Sequence, residues 1–229
     1  MLTHIIGFNG SPRRDGNLVT LMGWVLEGCA EAGASVEWLH VVDHDIRYCQ
    51  GCFACLRTGV CPTQDDFLAV RDRLLAADGL VVGSPVYEGQ PTAQLKTFMD
   101  RVTLLNLYTA TFRDQHTVGV ATSGTAPTGG VARCVATIFG RCHGTVGART
   151  ADIYGYPFVP HITNPRLPAR ARALGRRLVS AIRSPRRSFI SLDYLWIAFV
   201  RRFLVRPLAA RHPDQVAGVL RIWQEKGWW

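Results

Sequence analysis

IIGFNGSPRRDGNLVTLMGWVLEG, residues 5–28, is the stretch on which the reading of the fold turns. A short apolar run over residues 3–8 ends in Asn9-Gly10-Ser11-Pro12, a combination that stops a strand and opens a loop. From Asn17 the spacing changes: Leu18, Leu21, Met22, Val25 and Leu26 fall on one helical stripe, and Gly33 is placed to end that helix. Between strand and helix lies GSPRRDGN, residues 10–17. It leads into a helix N-terminus, where backbone N–H groups lack intrahelical acceptors and the dipole favours an anion. Ser11 adds a hydroxyl and Arg13 a guanidinium suited to phosphate. Gly16 permits close backbone approach, and Asn17 can cap the helix. The loop lacks the Gly-Lys-Ser/Thr of a Walker motif and the G-x-G-x-x-G of a dinucleotide fingerprint. The competing reading is a well-capped polar turn.

Working outward, strands are predicted over residues 36–42, 80–82, 117–122 and 145–153, the third of the chain being wholly apolar as a strand buried on both faces requires. Helices are predicted over residues 65–77, 92–105, 130–139 and 167–182, with Asp65 and Asp66 favourably placed at one helix start. Strict alternation of five strands and five helices points to a doubly wound, three-layer α/β/α sandwich. Ligands of such sheets bind beyond the carboxyl ends of the strands. Two further loops therefore matter: the start of GSPVYEGQPTAQLKTFMDR, residues 83–101, and TSGTAPTGG, residues 122–130.

Together the three loops resemble those of the flavodoxin-fold NAD(P)H-dependent FMN reductases, and within them the iron–sulfur flavoproteins. The resemblance rests on GSPR-x-x-GN after the first strand, on SPVY followed by AQLK-x-F-x-DR after the third, and on the closing WQEKGWW of residues 223–229. Leu18 and Val131 depart from the pattern, standing where Thr and where Glu or Gln are common. The resemblance implies a flavodoxin-like five-stranded parallel sheet holding FMN. It implies Ser11, Arg13, Gly16 and Asn17 at the phosphate, Pro85, Val86, Tyr87 and Glu88 along the flavin ring, and Ser123, Gly124 and Thr125 on its far side. The implied activity is transfer of electrons from NAD(P)H through FMN to a flavin, quinone or other small acceptor. No catalytic side chain is expected, because the flavin carries the chemistry. Lys96, Asp100 and Arg101 read instead as an ion-paired helix face.

Cys49, Cys52, Cys55 and Cys61 form a C-x2-C-x2-C-x5-C cluster followed by Pro62. Three closely spaced thiolates and a fourth on the same loop suit a [4Fe–4S] cluster. Structural zinc, a Cys49–Cys52 redox disulfide and a metal-free set of thiols are the alternatives. The resemblance favours the cluster and brings with it a second function: an electron carrier fed by ferredoxin. Cys29, Cys134 and Cys142 read as small buried hydrophobes, and the seven histidines show no ligand spacing.

The net charge of +9 is unevenly distributed: residues 1–163 carry −2 and residues 164–229 carry +11, nearly all of it arginine. No nucleic-acid-binding signature accompanies it. The chain accordingly divides into a flavodoxin-like unit, residues 1–183, with its cysteine loop at 49–61, and a basic, aromatic helical extension, residues 184–229. Phe189, Leu192, Leu195, Trp196, Phe199 and Phe203 recur at helical spacing among arginines. That pattern fits a subunit interface of a homodimer or homotetramer better than a membrane surface. With no basic, apolar leader and no long apolar span, a cytoplasmic location is expected.

Overall fold

In the computed structural model, which describes residues 2–112, 115–149, 162, 164–184, 199 and 201–228, the apolar runs form one parallel sheet. Its strands are β1 (His4–Asn9), β2 (Ser35–His40), β3 (Gly79–Pro85), β4 (His116–Ser123) and β5 (Arg141–Arg149), in the order β2-β1-β3-β4-β5. Every neighbouring pair is parallel. The doubly wound fold expected from the alternation is therefore the fold observed. β5 starts four residues earlier than its apolar pattern suggests, because its polar first residues extend the ladder beside β4. The expected continuation of that strand to residue 153 falls outside the described residues.

Helices cover both faces of the sheet. On one side α1 (Asn17–Glu31) and α6 (Leu167–Arg183) bury Leu21, Met22, Val25, Leu178 and Val179 against Val81, Val118 and Val120. Arginines of α6 clasp the acidic face of α1: Arg172 donates to Glu27 and Arg176 to Glu31, at 2.8 and 2.5 Å. Arg183 donates to the carbonyls of Ala32 and Gly33, both at 2.7 Å. Part of the basic excess is thus spent within the fold.

On the other side lie α3 (Phe67–Ala76), α4 (Ala93–Thr109) and α5 (Gly129–Ile138). Their core is a cluster of phenylalanines in which Phe8 meets Phe98 edge-on with ring centroids 5.2 Å apart, and Phe112 meets Phe139 at 5.4 Å. Each buried ring contributes about 1.5–3 kcal/mol, and such pairs add about 0.5–1.5 kcal/mol beyond burial.

A third, smaller core joins the C-terminal segment to the cysteine loop. Within that loop the structure has a short helix the sequence pattern did not announce, α2 (Ala54–Thr58). After a π-helical turn (Arg201–Val205) and α7 (Arg206–Arg211), the last helix, α8 (Ala217–Glu225), packs on α2 and on the end of α4. Trp223 is buried beside Leu56, Leu105 and Val219. Its indole N–H donates to the Tyr108 carbonyl at 2.9 Å, and Lys226 donates to the Thr109 carbonyl at 2.9 Å. Of the amphipathic pattern read in the extension, Phe199 and Phe203 are exposed and meet at a tilt with ring centroids 4.8 Å apart, whereas Val205 and Ala209, outside that pattern, turn inward. Phe189, Leu192, Leu195 and Trp196 lie outside the described residues. No helix among the described residues is long and apolar enough to cross a membrane.

Candidate functional site

The three loops singled out in the sequence converge at the carboxyl edge of β1, β3 and β4. The first is pinned from below by Asn9, whose side chain is fully buried. Its amide donates to the Arg13 carbonyl at 3.0 Å, and its side-chain oxygen accepts from the Ser11 N–H at 2.9 Å. His40 Nδ1 lies 2.9 Å from the Asn9 amide. Burial lowers the His40 pKa, with Asp43 partly opposing; the neutral ring can then accept at Nδ1. Ser11 Oγ accepts from the Arg13 N–H at 3.0 Å, and Arg14 pairs with Asp43 at 2.5 Å, which leaves Arg13 as an exposed cation of the loop.

Gly16, with φ 107°, precedes α1 as its cap residue, so Asn17 is the first helical residue rather than the cap expected of it. Gly16 has no side chain with which to cap this helix, and no acid lies in its first turn. The positive end of the helix dipole faces this loop, an arrangement that favours an anion such as a phosphate ester.

Thr92 binds the first loop to the second. Its hydroxyl donates to the Gly10 carbonyl while accepting from the Leu95 N–H as the cap of α4. Its own N–H donates to Ser84 Oγ at 3.0 Å. Gly10 N–H donates to the Gly83 carbonyl at 2.8 Å. Pro85 ends β3, and the Val86 N–H donates to the Thr122 carbonyl at 2.8 Å, joining the second loop to the third. Tyr87 and Gln90 exchange backbone hydrogen bonds around Glu88 and Gly89, whose φ values of 48° and 74° define a tight two-residue turn. The Tyr87 ring stands half exposed on this rim. Ser123 Oγ accepts from the Ala126 N–H at 2.9 Å, and Gly124 and Thr125 are exposed beside it. An open depression of about 360 Å³ lined by Thr128, Arg149 and Asn164 continues the rim toward β5. Asn9 and Thr92 were missed as site residues, although Asn before Gly-Ser-Pro and Thr before a helix are both legible turn and cap signals.

The cysteine loop is a separate structure, resting on the middle of α4. Its base is closed by Asp65 and Asp66: Asp65 accepts from the backbone N–H groups of Arg47 and Phe67, and Asp66 from that of Asp45. Cys49 and Cys52 are exposed, while Cys55 and Cys61 are half buried. Beneath them lies Arg101, whose side chain is 1% exposed and whose partner Asp65 has a side chain that is 0% exposed. The guanidinium also lies over the Phe67 ring at 4.1 Å, donates to the Arg47 carbonyl and donates to Cys61 Sγ, both at 3.3 Å. Arg101 is thus not on the ion-paired helix face expected of it; Lys96 and Asp100 do pair there. One residue further round, at about 100° per residue, Arg101 points inward.

Burial alone raises the Cys61 pKa, but donors from Thr63 and Arg101 outweigh it and hold the thiol below its ordinary range. Cys55 is shifted upward by burial and by the charges of Cys61, Cys49 and Cys52. No three His, Cys, Asp or Glu side chains among the described residues stand close enough to hold a metal ion as placed. A second observation nevertheless fits a sulfide-bearing group. Arg101 Nε is a buried donor with no hydrogen-bond partner, and Arg101 shares a cavity of about 20 Å³ with Cys55 and Cys61. Of the other cysteines, Cys29 is buried and its thiol is pushed up to about 12 by burial, as expected of a small core hydrophobe. Cys134 is only half buried, and Cys142 is exposed because it sits near the start of edge strand β5.

A five-stranded sheet of this order, with an anion-ready helix at its first loop, defines a flavodoxin-like fold. Solved structures share it: an NAD(P)H:quinone oxidoreductase from Methanothermobacter marburgensis superposes with a TM-score of 0.58 at 17% identity, covering 78% of this chain and 100% of that one. A flavone reductase superposes with a TM-score of 0.57 at 20% identity, covering 80% and 64%. Residues 3–150 match the model of the NADPH-dependent FMN reductase family, and the chain belongs to that family of flavin-dependent oxidoreductases. Its homologues include iron–sulfur flavoproteins. One from Methanosarcina thermophila is 33% identical over 140 residues, 61% of this chain and 72% of that protein. Another, from Methanocaldococcus jannaschii, is 41% identical over 97 residues, 42% of this chain and 50% of that protein. The match to the latter thus spans about half its length.

Proposed function

We propose that this protein is an FMN-dependent oxidoreductase that takes electrons from NAD(P)H and delivers them to a flavin, quinone or other small acceptor. The observation that carries the reading is the start of α1, with a glycine at its cap position and no acid in its first turn, beside Arg13 and framed by three loops that hydrogen-bond to one another. When bound, FMN supplies both one- and two-electron exchange. The protein's part is to bind and orient. The α1 amides, the Ser11 hydroxyl and the Arg13 guanidinium hold the phosphate, with Gly16 and Asn17 at the turn. The backbone of Pro85, Val86 and Glu88 and the ring of Tyr87 border the flavin, and Ser123, Gly124 and Thr125 close its other side. Because rim contacts are mostly main-chain, the ring remains open to a nicotinamide or an acceptor.

Anaerobically purified protein tests this directly. It is expected to retain FMN and to lose its visible flavin absorption on addition of NADH or NADPH. Arg13→Ala removes one charge-assisted phosphate contact and is expected to weaken FMN binding about 10- to 100-fold in a fluorescence titration. Full affinity in that variant, or no affinity in the parent protein, sinks the proposal.

A second reading is supported by the buried, unpaired Nε of Arg101 beside Cys61. In it, Cys49, Cys52, Cys55 and Cys61 hold a [4Fe–4S] cluster, which supplies one-electron transfer, and the protein is a carrier fed by ferredoxin. Flavin reduction by ferredoxin but by neither nicotinamide nucleotide would favour this version.

A further inference from the structure

Among the described residues Arg101 is the only charged residue buried as a whole, its partner Asp65 has a fully buried side chain, and nothing in the proposed flavin rim uses the pair. Taking an arginine and an aspartate out of water costs several kcal/mol per ion, and a buried pair of this kind rarely stabilises a fold more than apolar residues of the same volume. The pair is, moreover, incompletely satisfied. Asp65 has three donors: the Arg47 and Phe67 amides and the Arg101 guanidinium. Arg101 spends its two terminal nitrogens on Asp65, the Arg47 carbonyl and Cys61 Sγ, and leaves Nε with none. The orphan donor belongs to a residue that lines a small cavity with Cys55 and Cys61. A guanidinium has a rigid fork of donors, and Asp65 together with the Phe67 ring fixes its plane.

We propose that Arg101 is the positioning residue of the cysteine centre, donating one N–H to the Cys61 sulfur and its Nε–H to an inorganic sulfide of a bound iron–sulfur cluster. This deepens the cluster reading above and rests on it. Two consequences follow from the chemistry. The cluster is held against α4, the helix whose cap residue Thr92 organises the flavin rim; the nine helical steps from Thr92 to Arg101 span about 14 Å. One-electron reduction makes the cluster one unit more negative, and hydrogen bonds to its sulfurs favour the reduced form, so Arg101 raises its reduction potential.

The test uses the full-length protein, purified anaerobically or reconstituted with iron and sulfide, as the parent, Arg101→Gln and Arg101→Lys. Iron, acid-labile sulfide and FMN are assayed, the rate of iron loss to a chelator is followed, and the cluster potential is read by an EPR-monitored titration with dithionite. The parent is expected to hold about four irons per chain. Arg101→Gln is expected to keep its FMN, to lose iron about tenfold faster and to show a more negative potential. Arg101→Lys keeps the charge but not the fork, and falls between. A cluster with parental potential and chelation rate in both variants overturns the assignment, as does loss of FMN together with iron in both. Should Arg101→Gln prove insoluble, the Lys variant decides by the same criteria. A parent without iron and sulfide overturns the cluster reading itself, and this proposal with it.

Discussion

The strand-end rim proposed to hold FMN and the cysteine loop share α4 but are held by different means. The rim is assembled by main-chain contacts among neighbouring strand ends, with two short polar side chains, Asn9 and Thr92, as rivets. The cysteine loop is assembled by long side chains reaching across the sequence: Arg101 to Cys61, 40 residues away, and Arg221 of α8 to the Thr58 carbonyl, 163 residues away. A backbone rim presents a fixed, open surface. A loop clamped by side chains can be tuned, and its thiols can be exposed without disturbing the rim. The two regions should therefore fail independently.

The largest effect is expected from Gly10→Val. A Cβ at Gly10 would lie 2.6 Å from a Leu95 methyl and 2.8 Å from the Gly83 carbonyl oxygen, so the first loop must leave the second. We expect destabilisation of about 3 kcal/mol in urea unfolding and loss of FMN binding, with the alkylation rate of Cys55 unchanged in the folded protein. Loss of thiol protection in that variant would break the separation.

Acid should act on both regions together, because it acts on the frame. His143 on β5 stacks on His116 of β4 with ring centroids 4.7 Å apart, at the sheet edge opposite the rim. Burial first, then the charges of His116, Arg177 and Arg141, lower its pKa to about 4. The unfolded chain takes up this proton near pH 6.5 and the folded one only near pH 4, so stability is intact above 6.5 and falls as the pH drops between them. The loss is at most about 3 kcal/mol, and His143→Phe should flatten the profile of unfolding midpoint against pH over that window.

Gly218→Ala is the converse of the Gly10 change. Its Cβ would sit 2.0 Å from the Gly59 nitrogen, forcing α8 away from α2. About 2 kcal/mol of stability should be lost, and Cys55 should be alkylated faster while FMN affinity stays at the parental value. A loss of FMN here would show that the clamp supports the rim as well. At the small end, Lys96→Ala removes an exposed ion pair with Asp100. About 0.3–0.5 kcal/mol is expected, with neither FMN affinity nor thiol reactivity altered.

Much of this was legible beforehand for a physical reason. Strand and helix periods are local, so the order of elements, the helix stop at Gly33 and the three strand-end loops could be read directly; the Gly33 N–H indeed donates to the Ala30 carbonyl at 2.8 Å. The cap of α1 was misplaced by one residue because Gly16, at positive φ, takes the position where Asn17 was expected. Arg101 was misread because i and i+4 spacing describes Lys96 and Asp100 well, whereas Asp65 lies 36 residues away in sequence.

From its residues alone this chain determined a doubly wound sheet, a polar loop ahead of the first helix and a four-thiol motif, since each depends on spacing within a few residues. Only the tertiary structure decided that α4 would carry the strand-end rim at its start, the cysteine loop at its middle and α8 at its end. The reason is that buried charge and close helix contact are set by packing between distant segments, and no local pattern records which partner a side chain will meet.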